Sequence, residues 1–104
     1  MKLDGFDWDE GNRQKCCKHG VSLEEIEDLF SAQPGMQPDP LHSRVELRIR
    51  AIGQTRSGRW LLVAFTVRRR DHRTLVRPVS ARYMHAKEVR HYEKAQATSN
   101  SDKR

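Results

Sequence analysis

Lys18-His19-Gly20-Val21-Ser22 sets a base-capable imidazole beside a fixed cation and a flexible glycine, just ahead of a helix start. A second basic stretch, Arg77-Pro78-Val79-Ser80-Ala81-Arg82-Tyr83, lies nearer the other end. If the fold brings them together, a small basic protein has what it needs to bind RNA and cut it without a metal. That reaction needs a base for the 2′-hydroxyl proton, cations for the charge that builds on phosphorus, and an acid for the leaving 5′ oxygen. His19 is the first candidate for base or acid, since an imidazole ordinarily titrates near pH ~6.5. Lys18 beside it is the candidate to hold a phosphate.

Arg82 is the phosphate clamp, because a guanidinium engages phosphate through two parallel bonds. Arg77 is five residues away, which puts it on the opposite face of a straight strand unless Pro78 bends the chain. Glu46 shares a charged face with Arg48 and Arg50. It is a second candidate base, with the two arginines holding RNA. Tyr83 could stack on a base or donate its hydroxyl.

Each residue also has a plainer reading. His19 could cap a turn before Gly20, Arg82 could pair with a glutamate, and Tyr83 could lie under the last helix. Glu46 could belong to a cross-strand ion-pair ladder. His85 and His91 are six apart and read as lying on different helix faces, so not as one site. His85, near a helix start, ranks below His19. Trp8 and Trp60 read as core.

Positioning these residues requires a small α+β domain. Phe6 and Trp8 alternate with Asp7 and Asp9 as a short extended segment. Glu10 to Lys18 forms a short helix ending at Gly20. Ser22 opens a capping box with Glu25, and Leu23, Ile26, Leu29 and Phe30 follow at helical spacing. Residues 33–42, with Pro34, Gly35, Pro38 and Pro40, read as an irregular loop. Val45, Leu47, Ile49 and Ala51 alternate with Glu46, Arg48 and Arg50 as a strand. Trp60 to Val67 is a continuous apolar run, as in a central strand. Residues 68–73 read as a charged turn. Leu75 to Ala81 is a third strand, placed at the sheet edge by Pro78. Consecutive strands with short connections predict an antiparallel meander of three to four strands. A helix from Met84 to Gln96 closes the domain, taken as 1–97, and 98–104 reads as a flexible polar tail.

The chain has 104 residues, with 20 Lys and Arg against 14 Asp and Glu, a net charge of +6. That balance favours a polyanion or an acidic protein as partner. Only 36% of residues are hydrophobic, so the core is small and a partner could add stability. Cys16 and Cys17 are the two cysteines. Adjacent thiols without a wider framework fit a reducing cytosol and offer no zinc site. No apolar run approaches a membrane span, and the N-terminus lacks a signal-peptide core.

Phe6-Asp7-Trp8-Asp9, Lys18-His19-Gly20-Val21-Ser22, Ala51-Ile52-Gly53-Gln54-Thr55, Gly58-Arg59 and Ser80-Ala81-Arg82-Tyr83, followed by Glu88 and Tyr92-Glu93, resemble the BrnT family of bacterial toxins. The sequence departs from the family pattern at Asn12, where a lysine is common. The resemblance implies a RelE-like fold with two N-terminal helices, an antiparallel sheet and a C-terminal helix. It also implies a metal-independent, cofactor-free endoribonuclease that cleaves mRNA in the cytoplasm and inhibits translation. The implied partner is a BrnA-type antitoxin, which neutralises the toxin and carries the pair to operator DNA. The alternative on charge alone is a non-catalytic basic module acting with an acidic or DNA-binding partner. A plain soluble domain is a third reading.

Overall fold

The computed structural model describes residues 2–42 and 46–101. Val45, the first residue of the predicted strand alternation, and residues 102–104 lie outside this range. The chain runs β1 (Gly5–Phe6), α1 (Glu10–Cys17), α2 (Leu23–Ser31), β2 (Gly35–Pro38), a 3-10 turn (Pro40–His42), β3 (Ile49–Gln54), β4 (Trp60–Arg70), β5 (Arg73–Tyr83) and α3 (Ala86–Ser101).

The α+β class and the three helices agree with expectation, but the sheet does not. It has five strands in the order β1-β5-β4-β3-β2, and β1 runs parallel to β5. Two segments account for the difference. The chain before Phe6 docks on the free edge of β5, and the proline-rich loop supplies a fourth antiparallel strand, Gly35–Pro38. Pro38 is tolerated there because an edge strand has one side free of ladder bonds. The charged turn shrinks to Asp71 and His72, both at positive φ, and β4 and β5 extend to meet it. The last helix runs past Gln96 to Ser101.

β5 is an interior strand, against the edge position that Pro78 suggested. A bulge absorbs the proline: Ala64 pairs with Ser80 and Phe65 with Pro78, so Val79 is the extra residue. The Pro78 carbonyl then accepts a hydrogen bond from the Asn12 side chain at 2.9 Å, and the same amide nitrogen donates to the Asp7 carbonyl. Asn12 thereby ties α1 to the strand.

Both N-terminal helices begin in capping boxes, Asp9 with Asn12 and Ser22 with Glu25. They cover one face of the sheet. Period-2 alternation sends Ala51, Leu61, Val63, Phe65, Val76 and Ala81 to that face, where they meet Cys16, Val21, Ile26 and Leu29. Phe65 is fully buried and meets Phe30 edge-on at 5.0 Å. Each such side chain contributes about 1.5–3 kcal/mol of burial. α3 stands on the other face, attached by Tyr92 against Trp60.

Candidate functional site

The sheet face opposite α1 and α2 carries the charge. Register aligns three rows across it: Gly35, Ile52, Leu62 and Arg82; then Gln37, Arg50, Ala64 and Ser80; then Thr66 and Arg77. Ala64, Ser80 and Thr66 are small, so they make a shallow floor. Arg50, Arg68, Arg77 and Arg82 are half-buried around it. On this floor Nε of Arg50 and Oγ1 of Thr66 are buried without a hydrogen-bond partner. An unpaired buried polar atom costs about 1–3 kcal/mol. An anionic or polar ligand laid here would recover part of that.

Carboxylates hold several of these arginines. Arg82 meets Glu88 of α3 through two bonds, at 2.7 and 2.8 Å. That pairing, with the His85 backbone N–H bonded to the same carboxylate, lowers the Glu88 pKa to about 2. Arg68 pairs with Glu46. Arg77 bonds Asp9 at 2.8 Å and lies 3.6 Å from Asp7, so it anchors the N-terminal segment. The backbone N–H of Asn12, then Arg77, holds the Asp9 carboxyl below its usual range.

The sequence-predicted residues divide between the two faces. Arg50, Arg77 and Arg82 share the open face; Glu46 reaches it through Arg68, and Arg48 is half-buried just before β3. Tyr83, next along β5, points the other way. Its hydroxyl donates to Glu25 at 2.6 Å and lies 3.5 Å from the Gly20 carbonyl, while Arg59 stacks 3.4 Å from its ring centre. Burial pushes the Glu25 carboxyl up, but bonds from Tyr83 and Ser22 outweigh it and leave its pKa lowered. The same bond raises the Tyr83 pKa. Lys18 and His19 are exposed on the α1–α2 connection beside this cluster. The connection that carries His19 thus adjoins Tyr83 on the helix-covered face, whereas Arg82 faces the other side of the sheet.

A groove of about 740 Å³ opens between α3 and the open face. Ile52 and Leu62 line it, with Arg50, Glu88 and, unexpectedly, both His85 and His91. The separation of six misled the sequence reading because His85 precedes the helix, which starts at Ala86, so the helical-wheel argument does not apply to it. Among the described residues no cluster of three His, Cys, Asp or Glu side chains could hold a metal. No helix among them is long and apolar enough to cross a membrane.

Fold and surface together define a small α+β domain with two helices on one sheet face and, on the other, a third helix beside an arginine-lined trough. Residues 8–88 match the family described as "Ribonuclease toxin, BrnT, of type II toxin-antitoxin system". The chain belongs to that family of ribonuclease toxins, whose partner is an antitoxin. No curated protein matches it.

Proposed function

We propose that this chain is a metal-independent endoribonuclease that cleaves mRNA and so inhibits translation, neutralised by a BrnA-type antitoxin. The observation that carries the reading is the trough. Four half-buried arginines from β4, β3 and β5 ring a floor of small residues that lets a phosphate backbone approach closely. RNA lies along this face. Arg82 and Arg50 neutralise the phosphate at the cut, while Arg48 and Arg68 hold its neighbours and Glu46 orients Arg68. Arg77 shapes the trough from its edge through Asp7 and Asp9. Lys18, His19 and Tyr83 lie behind the sheet, and the reading gives them no part in the chemical step. The antitoxin acts by covering the cationic face, and the complex reaches operator DNA through the antitoxin.

The test is inducible expression with and without a co-expressed BrnA-type antitoxin, joined to cleavage of RNA by purified protein in EDTA. Growth arrest relieved by the antitoxin, with RNA cut in EDTA, supports the reading. RNA bound tightly but left whole would favour a non-catalytic basic module.

A further inference from the structure

Proton transfer needs groups that the trough's arginines do not supply, since a guanidinium stays protonated at working pH. The carboxylates nearby are committed: Glu88 to Arg82, Glu46 to Arg68. The neighbouring groove holds the groups that are missing. His85 enters it from the turn before α3 and His91 from the second turn of that helix. Both are solvent-exposed, and no ion pair or side-chain hydrogen bond among the described residues occupies either ring. Arg50 lines the groove as well as the trough, so the two spaces are continuous at that residue.

We infer that His85 and His91 form the proton-transfer pair of the ribonuclease, acting on a phosphodiester held by Arg50 and Arg82. The inference rests on the ribonuclease reading above and assigns the chemistry of its site. One imidazole takes the proton from the 2′-hydroxyl as O2′ bonds to phosphorus. The P–O5′ bond breaks, and the other ring, entering protonated, gives its proton to O5′. The products are a 2′,3′-cyclic phosphate and a 5′-hydroxyl end. Both protons then exchange with solvent, and no co-reactant is required. The apolar walls, Ile52 and Leu62, exclude water from one side of the reacting groups.

The charged groups around the two rings are known from each element. Arg50 faces them from β3, Lys87 and Glu88 from α3 itself, and Arg82 from β5 through its pairing with Glu88. From β2 the neighbour is the neutral Gln37. The cationic excess suits a phosphate between the imidazoles.

The experiment compares wild type, His85→Ala, His91→Ala and His72→Ala on a short RNA in EDTA across pH 5–9. His72 lies in the β4–β5 turn, outside the site. Each of the first two substitutions should lower kcat by about 100-fold or more with RNA binding retained. The wild type should give a bell-shaped profile, and each of the two variants should lose one limb of it. Added imidazole should restore part of the rate. Full activity and an unchanged profile in both variants would overturn the inference while leaving the ribonuclease reading intact. A wild type that leaves RNA whole would overturn both.

Discussion

The guanidinium of Arg82 is held by both carboxylate oxygens of Glu88, at 2.7 and 2.8 Å, across the step from β5 to α3. A bidentate carboxylate has the geometry of a bidentate phosphate. On the proposed reading, Glu88 occupies the place a phosphate of the RNA would take, and the two would compete for Arg82. Replacing Glu88 with Gln should release Arg82 and raise RNA affinity several-fold in a fluorescence anisotropy titration. The stability cost should be small, about 1 kcal/mol or less, because both side chains are more than a third exposed or close to it.

The same pair sets an acid limb. The Glu88 pKa falls from an ordinary 4.5 to about 2 on folding. A depressed carboxylate stabilises the fold above its unfolded pKa and loses that contribution as pH falls through the folded one. The difference in stability between wild type and Glu88→Gln should therefore be constant above about pH 4.5 and vanish towards pH 2. Urea melts at a series of pH values will show this; a difference that grows on acidification would contradict it.

Arg82 itself is open to a sharper comparison. Arg82→Lys keeps the charge but loses the fork that grips two oxygens. Cleavage should fall by about ten-fold in Arg82→Lys and by about 100-fold or more in Arg82→Ala, with melting temperatures close to wild type. Equal activity in the three proteins would remove Arg82 from the site.

Asn12 makes a prediction of stability rather than activity. Its buried side chain joins α1 to the Pro78 and Asp7 carbonyls and closes the Asp9 capping box. Asn12→Ala leaves those groups without a donor and should destabilise the domain by about 2–3 kcal/mol. Thermal unfolding by circular dichroism reads this directly.

Gly35 tests how α3 is seated. A Cβ at this position would collide with the Tyr92 hydroxyl. Gly35→Ala should push Tyr92 and its helix away from the sheet, seen as faster amide exchange in α3 with the β4–β5 pair still protected. Unchanged exchange would mean that Tyr92 swings aside at no cost.

Much of this arrangement is legible in the residues. The Ser22–Glu25 capping box and the apolar stripe of α2 are local signals, and local signals survive folding. So does the buried run of β4. The misses in sheet order are decided by distant partners. The extended segment at Gly5–Phe6 joins the sheet, and in parallel, because Leu75 and Val76 offer it an edge. Gly35–Pro38 becomes a strand because β3 does the same. For the site, charge found the arginines, but spacing could not say which face each would take. The groove escaped detection because it pairs a residue just outside a helix with one inside it.

Val79 carries a larger consequence than its size suggests. Side chains on a strand alternate by parity, and the bulge shifts that parity by one within β5. Before it, Arg77 faces outward with Thr66; after it, Arg82 faces outward with Leu62. The two arginines stand five apart, an odd spacing that would put them on opposite faces of a regular strand, and the extra residue is what brings both outward. Were the ladder to run straight through Val79 with no bulge, one of the two would turn inward against the hydrophobic interior, so the irregularity itself is what assembles the cationic face.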